Sequence, residues 1–269
     1  MNSVSAYVRE AGTGDPVVCI HSSASSSAQW RPLIDRLSSR FHMLAVDLYG
    51  SGRTPVWLSE RPLTLADEAD LLEPILAALG RRFHLVGHSY GGAVALKVAM
   101  RHPDRVESLA VFEPVLFSLL MAEDPDQAAS REICAVRDDT TAAVDRGDLG
   151  VAGARFVNYW MGPGAWTAMS DLHREKVAES MKSVKGEWHA IFEDATPLHA
   201  FAALEMPALC LVGSESPAAS RGVTRLLTKA LTRVTEVEVE GVGHMGPVTH
   251  PDRINALIER HLDRPGSVS

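Results

Sequence analysis

The sequence predicts an α/β fold: a mostly parallel central sheet with helices on both faces and a helical cap inserted into it. Short β-rich apolar runs alternate with helical segments, the pattern of a parallel sheet covered on both sides. A glycine-flanked serine stands where one such run turns into a helix. The alternation is interrupted once, between "FEPVLF" and "ALCLVG", by a stretch rich in helical segments.

In chain order the predicted strands are "VVCI" (17–20), "HMLAVD" (42–47), "FHLVGH" (83–88), "SLAVFEP" (108–114), "ALCLVG" (208–213) and "VTEVEVE" (234–240). The helices expected between and after them include "LTLADEADLLEPILAAL" (63–79), "GAVALKVAMRH" (92–102) and "PDRINALIERHL" (251–262). Residues 118–197 hold further helix-like stretches and a Gly-Pro-Gly turn. So long a structureless loop is improbable, and they read as an inserted cap. That leaves 1–117 and 198–269 as one core domain. Trp160, Trp166 and Trp188 fall in the insertion. Aromatics at helical spacing usually build core; the sharper expectation is that Trp160 and Trp166 line a substrate pocket. The serine-rich loop and the tail "RPGSVS" are the only biased segments.

Composition narrows the function classes. Apolar residues make up 46% and charged residues 22%, as in ordinary globular proteins. A net charge of −8 without a Lys or Arg run offers no footprint for nucleic acid or an anionic membrane. A small, uncharged substrate is expected instead. Cys19 and Cys210 sit inside strand-like runs and read as small buried hydrophobes of a reducing cytoplasm. No apolar stretch approaches the ~20 residues of a membrane span, and "MNSVSAYVREAG" lacks a signal-peptide core. The expected location is the cytoplasm, with the oligomeric state left open, a homo-oligomer included.

Chemistry concentrates at "LVGHSYGG". A bare G-x-S-x-G says little, but Gly87-His88-Ser89-Tyr90-Gly91 joins a predicted strand to a predicted helix. Such a turn lifts a serine hydroxyl to a helix N-terminus, where amides and dipole favour developing negative charge. Serine needs a base, and His244 in "VEGVGHMGPVTHP" follows the last strand, in the order serine first, histidine last. An acyl-transfer site also needs oxyanion donors. Tyr90, after the nucleophile, and Ser23, in the loop "HSSASSSAQW", supply backbone N–H groups. His21, Ser22 and His88 are expected to contact substrate, His21 also shaping the loop.

With these pieces the chain resembles the small, capped, esterase-like members of the α/β-hydrolase fold superfamily. The resemblance rests on the loop from His21 to Trp30, the "D-x-x-G-x-G-x-S" type loop from Asp47 to Thr54, the Ser89 elbow and His244. Two departures stand out: Ser22 replaces the glycine that often follows the loop histidine, and Ser216 stands where a "G-x-x-D" pattern would place the acid. The resemblance therefore leaves two candidates for the acid, Glu113 at a strand end, preferred because some relatives carry it there, and Glu215, one residue out of register.

The expected reaction is two-step acyl transfer on a small carboxylic ester or activated carbonyl compound, needing no metal or organic cofactor. C–C bond hydrolysis, lactonase, thioesterase and perhydrolase chemistry would use the same constellation. Haloalkane and epoxide hydrolases of this fold use an aspartate nucleophile, against which Ser89 argues. A non-catalytic small-ligand-binding protein is the alternative from another class.

Overall fold

A computed structural model describes residues 4–123 and 127–263; the tail "RPGSVS" lies outside them. The strands are β1 (Val8–Ala11), β2 (Asp15–Ile20), β3 (Phe41–Val46), β4 (Phe83–His88), β5 (Val106–Phe112), β6 (Ala208–Gly213) and β7 (Val234–Val239). They form one sheet in the order β1-β3-β2-β4-β5-β6-β7, parallel throughout except for the antiparallel β1. The six predicted strands are all present. β1 is the addition: "VREA" is short and mostly half-buried, and pairing with β3 alone makes it a strand.

The helices of the described residues are α1 (Arg31–Leu37), α2 (Leu65–Leu79), α3 (Tyr90–Arg101), α4 (Phe117–Glu123), α5 (Ala128–Asp145), α6 (Leu149–Met161), α7 (Ala165–Ala168), α8 (Asp171–Phe192), α9 (Ala218–Ala230), α10 (Gly246–Thr249) and α11 (Pro251–Asp263). Strand periodicity divides the sheet's apolar side chains between two cores. Val17, Cys19, Met43 and Ala110 pack under Leu33 and Leu37 of α1 and Ile254 and Ile258 of α11. Val18, Ile20, Leu85 and Val111 pack on the other face with Leu72 of α2, Val94 of α3 and Val223 of α9. Cys19 and Cys210 are buried free thiols, and burial pushes the Cys210 thiol up to about 12.

α4 to α8 are inserted between β5 and β6. Their apolar side chains, with Phe117 set among Trp160, Trp188 and Phe192, continue the core of the second face. Among the described residues no helix is long and apolar enough to cross a membrane.

Candidate active site

The strand β4 ends at His88 and α3 begins at Tyr90, so the chain reverses within one residue, Ser89. Its backbone takes φ 54° and ψ −118°, a conformation that side chains disfavour. Two glycines make the reversal possible. A Cβ on Gly87 would lie 2.6 Å from the carbonyl oxygen of Gly91, and one on Gly91 would lie 2.3 Å from that of Ile20. The Ser89 N–H donates to the Phe112 carbonyl at 3.0 Å, tying the turn to β5.

The loop after β7 carries His244 over this turn. Its Nε2 stands 2.9 Å from Ser89 Oγ and its Nδ1 2.6 Å from Glu113 Oε2. Glu113 follows β5 directly, its N–H donating to Leu211 of β6, so the sheet register carries it to the end of that strand. Its carboxylate also accepts the Gly213 N–H at 2.7 Å and the Ser220 hydroxyl at 2.9 Å. Burial pushes the carboxyl up, but the His244 hydrogen bond and charge and the Gly213 N–H outweigh it and hold the carboxyl below its ordinary value. Glu215 is exposed, and its side chain makes no hydrogen bond among the described residues.

Among the described residues, no acceptor meets the backbone N–H of Ser23 or of Tyr90. The Ser23 loop is braced from below. Asp47 accepts the Ser27 N–H at 2.6 Å and the Arg53 N–H at 2.9 Å, clamping the two glycine- and serine-rich loops together.

Three residues expected to touch substrate are buried and hydrogen-bonded within the protein. His21 is buried, its Nδ1 paired with the Ser22 carbonyl at 2.7 Å and its Nε2 accepting the Leu48 N–H at 3.2 Å. Ser22 is spent on Gln29, whose Oε1 takes both its N–H and its hydroxyl. His88 is fully buried and its Nε2–H donates to the His244 carbonyl at 2.9 Å. Burial and the neighbouring His244 hold His88 well below the usual imidazole value, which favours a neutral ring donating through Nε2–H. Trp166 follows the Gly-Pro-Gly turn, packs over Gly153 of α6, and lines neither the groove that His244 borders nor the cavity that Ser89 borders.

Trp160 does reach the site, stacked on the His244 ring with centroids 4.1 Å apart. It lines a groove of about 1010 Å³ that runs past His244 and Glu215. Trp160 also lines a small cavity of about 10 Å³ that Ser23 and Ser89 border, with Val115, Phe156, Val184, Glu187, Trp188 and Ile191. Ser89 is 4% and His244 2% exposed, so both reacting groups are shielded from solvent. Glu187 was not expected here. Its sequence signal is a charge inside the apolar stripe of Val184, Trp188 and Ile191. Among the described residues no three His, Cys, Asp or Glu side chains converge as a metal site.

The sequence model of the alpha/beta hydrolase family matches residues 17–257. Over 97% of its length the chain is 23% identical to (E)-2-((N-methylformamido)methylene)succinate hydrolase of Acinetobacter baylyi, covering 95% of that protein. Identity to a haloalkane dehalogenase of Agrobacterium fabrum is 40%, over 111 residues that span 40% of this chain and 35% of that one. In fold the chain is similar to a bromoperoxidase of Bacillus anthracis, with a TM-score of 0.79, 18% identity and coverage of 97% and 96%. It is also similar to a thermophilic esterase of Thermogutta terrifontis, with a TM-score of 0.75, 22% identity and coverage of 97% and 94%.

Proposed function

The chain belongs to the alpha/beta hydrolase family, and from that membership we propose that it is a serine hydrolase acting by acyl transfer on small carboxylic esters. One observation carries the reading: the unbroken run from Ser89 Oγ through His244 to Glu113 Oε2, at 2.9 and 2.6 Å. His244 Nε2 takes the Ser89 proton as the hydroxyl attacks the carbonyl, and the ionised Glu113 steadies the imidazolium through Nδ1–H. The free N–H groups of Ser23 and Tyr90 receive the oxyanion. The tetrahedral intermediate expels the alcohol, which takes the proton from His244. Water, deprotonated by the same histidine, then releases the acid and restores Ser89.

The same proposal takes residues 1–117 and 198–269 as the core domain and 118–197 as a cap shaping the pocket, with a small-molecule substrate and a cytoplasmic setting. Ser89 at the elbow has no carboxylate to displace halide from an alkyl carbon, which sets dehalogenation aside despite the partial similarity to the dehalogenase.

Hydrolysis of p-nitrophenyl esters from acetate to decanoate, by the wild type and by Ser89→Ala, tests the reading. Activity on the shortest esters that vanishes in the variant is expected, with Ser89 labelled by a fluorophosphonate. Absence of both hydrolysis and labelling would overturn it in favour of a binding protein.

A further inference from the structure

The helix α8 turns Val184, Trp188 and Ile191 towards the cavity beside Ser89, and among them stands a carboxylic acid. Glu187 is 3% exposed and borders the cavity together with Ser23 and Ser89. Its Oε2 is buried with no hydrogen-bond partner among the described residues. The Ser23 hydroxyl is the group that acts against burial on this carboxyl, and among the described residues no Lys, Arg or His pairs with it. The neighbouring buried acid adds no counter-charge: Glu68 of α2 is occupied by the Tyr90 hydroxyl at 3.2 Å and the Tyr49 N–H at 3.3 Å. On its far side Glu187 borders a groove with Lys176 and Lys182, of which Lys182 pairs with Glu179.

A buried carboxyl without its hydrogen bonds destabilises a fold, and removing it in favour of an apolar side chain would relieve that cost. Folding alone therefore does not account for an unmet oxygen in a cavity walled by Phe156, Trp160 and Trp188. Burial pushes the Glu187 carboxyl up to about 7, so it is not locked as an anion near neutrality, and either protonation state keeps acceptor capacity. The cavity beside it, about 10 Å³, is far smaller than the groove of about 1010 Å³ that Trp160 also lines. Because Glu187 and Ser89 border the same cavity, the part of an ester that would meet this carboxyl is the part held next to the nucleophile, its acyl group.

We propose that Glu187 is a specificity-determining residue whose free carboxyl oxygen accepts an O–H or N–H donor carried by a short acyl group, making hydroxyacyl or aminoacyl esters the preferred substrates. The proposal rests on the serine-hydrolase reading above. It is tested by kcat/KM on p-nitrophenyl butyrate and p-nitrophenyl 3-hydroxybutyrate, for the wild type, Glu187→Gln, Glu187→Leu and Ser89→Ala, with thermal melts of each. The wild type is expected to prefer the hydroxy ester. Glu187→Leu should lower the hydroxybutyrate-to-butyrate ratio by about 10-fold or more, mainly through KM, and melt no lower than the wild type. Glu187→Gln, which keeps a carbonyl acceptor, should retain part of the preference and reads the effect if the leucine variant does not fold. Ser89-dependent hydrolysis with the same ratio in all folded forms overturns the proposal and leaves the hydrolase reading standing. No Ser89-dependent hydrolysis of either ester overturns both.

Discussion

Ala24, Ser89 and Glu113 are the non-glycine residues at positive φ among the described residues, at 53°, 54° and 45°. One neighbours the proposed oxyanion donor Ser23, one is the proposed nucleophile and one the proposed acid. Such conformations cost about 1–3 kcal/mol each and persist where surrounding structure over-determines them. At Glu113 that structure is visible: the Leu211 carbonyl holds its N–H while Gly213, Ser220 and His244 hold its carboxylate. Ser216, where the family pattern has an acid, is a small buried residue near this carboxylate. Glu113→Gln is therefore expected to lower kcat by about 10³–10⁴-fold, the scale seen when a triad acid loses its charge. Glu215→Gln should leave kcat near the wild-type value. Steady-state kinetics on a short ester checks both; the opposite ranking would transfer the role to Glu215.

At the scale of elements, the site is a meeting of ends. β4 delivers Ser89, β5 delivers Glu113, the loop after β7 delivers His244, and α6 lays Trp160 on the imidazole. These ends meet because α3 packs closely on β2, and Gly91 is where the approach is tightest: its missing Cβ would sit 2.3 and 2.4 Å from the Ile20 and His21 carbonyl oxygens. Backbone oxygens cannot rotate away as a side-chain tip can. Gly91→Ala is expected to destabilise the protein by about 1–3 kcal/mol, as overpacking does. It should also slow fluorophosphonate labelling of Ser89, since the shift falls on the turn that aims the hydroxyl. A melting curve and a labelling time course check the two effects separately.

Across the whole molecule, buried acids with opposite shifts contribute to the pH dependence of stability, beside the buried histidines His21, His84, His88 and His261, which burial holds low. Glu113 is held below its ordinary value, so its contribution is present above the unfolded carboxyl value and is lost as pH falls. Burial raises Glu187 to about 7 and Glu68 to about 8. The folded state keeps their protons while the unfolded chain releases them above about 4.5, so stability declines as pH climbs through that window. In thermal melts at pH 5 and pH 9, Glu187→Gln should gain stability relative to the wild type at the higher pH, where the wild type has to ionise the buried carboxyl. The sequence by itself determined the six parallel strands, the Ser89 turn and the helical insertion. Those rest on local causes: alternation of apolar residues, β-branched runs, and the backbone space that Gly87 and Gly91 leave open. It was silent on β1, whose "VREA" becomes a strand only beside β3. The tertiary structure alone decided that Glu113 rather than Glu215 meets His244, that His21, Ser22 and His88 brace the loops, that Trp166 faces Gly153, and that Glu187 borders the cavity. Each depends on sheet register and helix packing between residues far apart in the chain, and no local pattern encodes which of two nearby carboxylates that register brings within 2.6 Å of an imidazole.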